Sequence, residues 1–125
     1  MSSLKNDFYT IKETKKISDT QFNSSIELNV NHQIYKGHFP QMPVVPGVCQ
    51  VQIIKELLED CLDKKMTMLS GDNIKFTGMI LPTQNAIVNV ELTHTLKEND
   101  VIGVEAKLFF ETTIFTKFKG TFKAN

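Results

Sequence analysis

The chain has 125 residues, 41% of them hydrophobic and 22% charged, the profile of one ordinary globular domain over residues 1–125. Fourteen lysines balance fourteen acidic residues and there is no arginine, which argues against nucleic acid and anionic membranes as partners and removes the planar fork used for base and phosphate recognition. A domain of this size buries about two thirds of its unfolded surface, so a site shared between subunits is a natural arrangement.

The N-terminus shows no basic-then-apolar leader, and no run of eighteen apolar residues follows; the expected location is a reducing cytoplasm. Asp7 to Ile17 alternates weakly and can pair across Ser18-Asp19-Thr20 with Phe22 to Val30, where Phe22, Ile26, Leu28 and Val30 share one face and Ser24 is the polar exception. A long connection follows. From Gly47 to Asp63 the spacing changes to three and four through Val48, Val51, Ile54, Leu57, Leu58, Cys61 and Leu62, which predicts a helix entered at Pro46. Cys49 and Cys61 lie on that helix roughly 18 Å apart, too far for a disulfide.

A strand around Met66 to Phe76 comes next, and then period two returns. Ala86, Val88, Val90, Leu92 and Leu96 form one face, Ile102, Val104, Ala106, Leu108 and Phe110 the next, and Ile114, Phe118 and Phe122 the last. These predict three antiparallel strands with turns at Lys97 to Asp100 and at Glu111-Thr112, leaving Phe109 and Phe115 on outward faces. The class is α+β, one helix covering one sheet.

The connection Asn31 to Pro46 contains three prolines and, with Gly47, two glycines around a single interior histidine, His38. Such a loop can hold a base before the first turn of a helix, where the free N–H groups of Gly47 and Val48 stabilise developing negative charge. That is an acyl-chemistry arrangement. The plain alternative is a solvated histidine in a proline-rich connection.

The segment Gly37-His38-Phe39-Pro40, then Pro43, then Pro46-Gly47-Val48 resembles the signature of the β-hydroxyacyl-acyl-carrier-protein dehydratases, and Ile74-Lys75-Phe76 and Pro82 continue the likeness. The resemblance implies a hot-dog fold, in which a curved antiparallel sheet wraps a central helix, and a homodimer with two sites across its interface. It further implies His38 as the base removing the α proton of a (3R)-hydroxyacyl thioester, the Val44 carbonyl orienting its ring, and the Gly47 N–H facing the thioester oxygen. The substrate would ride on acyl carrier protein, with no cofactor.

One position departs from the pattern. The family places an acidic residue at the fifth position after the helix glycine and often glutamine one turn later; here Gln52 and Glu56 stand in the opposite order. An amide cannot donate a proton as an acid does. Either Glu56 reaches the substrate hydroxyl, directly or through water, or the chain binds without dehydrating and pairs with an active dehydratase. The plain reading of Glu56 is a solvated helix residue beside Lys55 and Glu59. Thioester hydrolysis is a third function, disfavoured by the retained His38.

His32 and His94 read as structural, and no His, Cys or carboxylate cluster has metal-ligand spacing. Lys36 with Lys55, or Lys117, Lys119 and Lys123, offer a dock for an acidic carrier protein, against the plain reading of solvated lysines.

Overall fold

A computed structural model describes residues 3–37 and 41–125. Strands β1 (Tyr9–Lys16) and β2 (Gln21–Leu28) precede helix α1 (Gly47–Leu62), and β3 (Met66–Phe76), β4 (Ile87–Leu96), β5 (Val101–Phe110) and β6 (Thr113–Ala124) follow. All six strands form one antiparallel sheet in the order β1-β2-β4-β5-β6-β3. The expected α+β class and every expected element are present. Among the described residues, no helix is long and apolar enough to cross a membrane.

Alternation explains the sheet. In β2 Phe22, Ser24, Ile26 and Leu28 point inward, and Val88, Val90 and Leu92 of β4 and Val104, Ala106 and Leu108 of β5 extend the same layer. Buried Ser24 meets Thr14 Oγ1 at 2.9 Å, which satisfies the polar exception. The β4–β5 turn accommodates Asn99 and Asp100 at φ 60 and 62, a conformation that Asn and Asp tolerate best among non-glycine residues.

Two expected faces are corrected. The inner face of α1 consists of Cys49, Gln50, Ile53, Ile54, Glu56, Leu57 and Leu58, whereas Val48 is 62% exposed. One residue turns the helix by about 100°, so a face centred on the positions after Val48 swings that side chain into solvent. Phe115, expected outside, is only 4% exposed. The β5–β6 register shifts there, with Leu108 opposite Thr116 but Phe109 opposite Ile114; Phe115 is the extra residue of the bulge, and the bulge re-aims it inward. Phe109 remains half-buried on the outer face with the Lys107 ammonium 4.8 Å from its ring centre.

Helix α1 packs against β3 and β4, placing Ile53, Ile54, Leu57 and Leu58 against Met66, Val90, Leu92, Phe118 and Phe122 in one core. The N-terminal residues Leu4 and Phe8 belong to that core as well.

Candidate active site

The connection into the helix is pinned at both ends. His32 closes a short 3-10 turn at Gln33–Tyr35 by accepting from the Ile34 N–H at Nδ1, and its Nε2 lies 3.1 Å from Asp7 Oδ2. Its ring stands edge-on to Phe8. His32 is therefore structural, as expected. At the far end, buried Val45 donates its N–H to the Ile80 carbonyl at 2.9 Å and accepts at its own carbonyl from Gln50 Nε2 at 3.2 Å. Thr116 Oγ1 in turn donates to Gln50 Oε1. His38, the expected base, lies outside the described residues, as do Phe39 and Pro40.

Pro46 is the residue that caps α1, at φ −61 and ψ 147, and its carbonyl accepts from both Cys49 and Gln50 N–H groups at 3.1 Å. The N–H groups of Gly47 and Val48 have no protein acceptor among the described residues, and no acidic side chain occupies the first turn. The positive end of the helix dipole is thus uncompensated. The Val44 carbonyl, also expected at the site, likewise has no backbone or side-chain donor among the described residues.

The Phe76 ring closes over Gly47; a Cβ there would lie 2.8 Å from Phe76 Cζ and would displace the ring. Phe76 at the end of β3 is itself 53% exposed, and Val48, Met79 and Met42 are also exposed. The helix start is an amide donor site bordered by apolar side chains.

Gln52 lies five residues beyond Gly47, which is about 7.5 Å along the axis and about 140° around it. It borders an open cavity with Ser3, Lys55, Glu56, Lys65, Met66 and Asn125, at the edge of the sheet formed by β3. Its Nε2 donates to Glu56 Oε2 at 2.7 Å.

Glu56 is not the solvated residue of the plain reading. It is 5% exposed and accepts from Leu4 N–H at 2.8 Å, Lys5 N–H at 2.8 Å and Tyr9 Oη at 2.9 Å as well as from Gln52. Burial, then the Glu56 charge and the hydrogen bond to it, then Asp60 and Glu59, push the Tyr9 hydroxyl far above the ordinary tyrosine range, so it remains a donor. A carboxylate surrounded in this way is a buried acceptor.

The structure thus brings Gln52 and Glu56 into contact and sets Val44, Gly47 and Val48 together at the loop–helix junction. Gln50, Thr116 and Tyr9 were not among the expected site residues. A signal for Gln50 existed, since it lies three and four residues before Ile53 and Ile54 on an apolar stripe. His94 lies away from the junction, stacked on Phe22 at 5.7 Å between ring centres.

A family model described as ApeI-like, ApeI dehydratase, matches residues 13–109 of the chain. The chain belongs to the ApeI-like dehydratase family. Consistent with this, it is 27% identical over 90 residues to a 3-hydroxyacyl-[acyl-carrier-protein] dehydratase FabZ of Xanthomonas oryzae, covering 65% of the chain and 59% of that relative. The chain therefore spans about three fifths of the length of that protein. A Lactococcus lactis protein of the same name is 24% identical over 106 residues, covering 79% of the chain and 74% of the relative.

Among solved structures, the Dehydratase Heterocomplex ApeI:P from Xenorhabdus doucetiae matches with a TM-score of 0.67 at 17% identity, over 90% of this chain and 96% of that one. A hypothetical thioesterase with coenzyme A from Streptococcus pneumoniae matches with a TM-score of 0.66 at 11% identity, over 94% and 85%. At these identities the matches show the fold. This ApeI-like protein has the hot-dog fold, as the sequence motifs implied, and its N-terminal clasp on Glu56 falls outside the span that the family model matches.

Proposed function

We propose that this ApeI-like protein takes part in dehydrating (3R)-hydroxyacyl thioesters on acyl carrier protein to trans-2-enoyl thioesters, with the proton for the departing hydroxyl supplied by another chain. His38 removes the α proton, the C2–C3 double bond forms as the C3–O bond breaks, and the hydroxyl leaves as water with a proton from the partner chain's acid. The free amides of Gly47 and Val48 meet the thioester oxygen as charge develops on it. The reaction is redox-neutral and, on this reading, needs no cofactor.

The observation that carries the division of labour is the Gln52–Glu56 contact. Gln52 has no acidic proton, and Glu56 is committed to four internal donors. Direct proton donation by Glu56, one of the two expectations for this pair, is thereby disfavoured. A paired site fits the geometry, because β3 is an edge strand and Met68, Leu69 and Phe76 are exposed along it. A second hot-dog subunit seated on that edge would bring its own helix to the site, and a partner of this kind that carries the acidic residue completes it.

Binding without turnover, in a homodimer of this chain, is the second reading, and the neutral amide at position 52 favours it. For the carrier protein, the outer sheet face supplies Lys75, Lys117 and Lys107 directly opposite one another across β3, β6 and β5, with Lys119 beside them. Like charges in register are unfavourable unless a counter-charge meets them; Glu91 stands 3.8 Å from Lys107 and Glu105 lies opposite Lys119, two acidic residues against four lysines. We place the protein in the cytoplasm with that partner.

The test is enoyl formation from a β-hydroxyacyl carrier-protein thioester by the chain alone and by the chain mixed with an acid-bearing hot-dog dehydratase subunit whose own histidine has been removed. Activity only in the mixture, lost with His38→Ala in this chain, supports the division of labour. Full activity of the chain alone, insensitive to the partner, overturns it.

A further inference from the structure

Glu56 matters for what it does to Gln52. A glutamine side chain can ordinarily turn its amide over, exchanging donor for acceptor. Here it cannot, because Glu56 offers only acceptor oxygen, and a flipped amide would set its own oxygen against the carboxylate. The carboxylate is in turn immobile: the Leu4 and Lys5 amides and the Tyr9 hydroxyl hold it from the N-terminal segment, and Leu4, Phe8 and Tyr9 are buried in the core. One face of the amide is therefore fixed inward. Gln52 Oε1 has no partner among the described residues, and Gln52 lines an open cavity shared with Glu59, Lys65 and Met66.

We infer that Glu56 and Tyr9 are positioning residues that lock the Gln52 amide, so that this chain presents a fixed hydrogen-bond acceptor to the C3 hydroxyl of a bound acyl thioester. The inference rests on the reading that Gln52 faces the acyl chain in the assembled site. An acceptor holds the hydroxyl through its hydrogen and delivers no proton to its oxygen, so this half-site retains the 3-hydroxyacyl group. The specificity it confers is for substrates with a donor at C3 over those without one.

Two measurements test it. In the free protein, the Gln52 side-chain amide protons, assigned by their loss in Gln52→Leu, should exchange slowly with solvent and resonate away from free glutamine. Tyr9→Phe should move them and speed their exchange. Solvent-like Gln52 signals in the wild type, or signals unmoved by Tyr9→Phe, overturn the lock.

For binding, two non-cleavable pantetheine amides that differ only in the C3 hydroxyl are compared. The hydroxylated one should bind about 3- to 10-fold tighter, the range for one net hydrogen bond. Gln52→Leu should erase that ratio and Tyr9→Phe reduce it. Equal binding of the two compounds overturns the inference and leaves the thioester-site reading standing. Binding of neither overturns both.

Discussion

Replacing Gln52 by glutamate tests the Gln52–Glu56 contact without any assay of activity. The amide nitrogen now 2.7 Å from Glu56 Oε2 becomes a carboxylate oxygen at about the same place. Two like charges at that separation repel by about 6 kcal/mol at an effective dielectric of about 20. Position 52 is half-buried, so the new group can swing partly into solvent, and a net effect of about 2–3 kcal/mol is expected after that screening. The pair avoids the repulsion by keeping one proton above the ordinary glutamate range.

A carboxyl whose pKa is raised by folding binds a proton that the unfolded chain releases, so its stability contribution is lost as pH climbs from the unfolded value of about 4.3 through the raised one. Urea unfolding of Gln52→Glu and wild type should therefore differ by less than about 1 kcal/mol at about pH 4.5 and by about 2–3 kcal/mol at about pH 8. A difference constant across that range would refute the contact. The same retained proton would equip the variant as a general acid near neutral pH.

Gly120→Ala should be among the most damaging small substitutions, costing about 2–3 kcal/mol in chemical unfolding, because the added Cβ overlaps the Ser70 carbonyl oxygen and the Phe118 ring. Thr116→Val removes the buried donor to Gln50 Oε1 and should cost about 1–2 kcal/mol by the same measurement. Burial first, and Lys16 second, lower the pKa of His94, whose Nε2 is buried without a partner among the described residues. Stability from this group is present above the ordinary histidine value of about 6.5 and lost as pH falls below it; His94→Leu should flatten that part of the Tm–pH curve. Burial, with Asp60 adding to it, pushes the Cys61 thiol up to about 11, so alkylation of the native protein at neutral pH should be slow compared with that of the unfolded chain.

The strands and the helix were legible because each buries one face, and burial writes its period into residues such as Val88, Val90 and Leu92. Phe115 was misread because a bulge adds a residue and breaks the period without leaving a mark in composition. Val48 was misread because two adjacent helix positions, Val48 and Cys49, are both apolar and spacing alone does not choose between them. At the site, the thioester motif and the missing acid at position 52 were readable from local order along the chain. The fate of Glu56 was not, since its donors Leu4, Lys5 and Tyr9 lie about fifty positions away and two of them are backbone groups, which have no sequence signature.

The two ends of the sheet are unlike, and that difference limits growth. Strand β1 carries Lys12, Glu13, Lys15 and Lys16 and is irregular between Ile11 and Glu13, features that repel an incoming strand. Strand β3 is also irregular, with register shifts at Met68/Ser70 and Gly71/Asn73, but its first half exposes Met68 and Leu69 and carries no charged side chain from Met66 to Gly71. A molecule with one receptive edge and one refusing edge can add a single neighbour, edge to edge, and is then finished. Pairing through β3, as proposed above, would close the sheet at two subunits and give a finite particle, where two receptive edges would permit an endless ribbon.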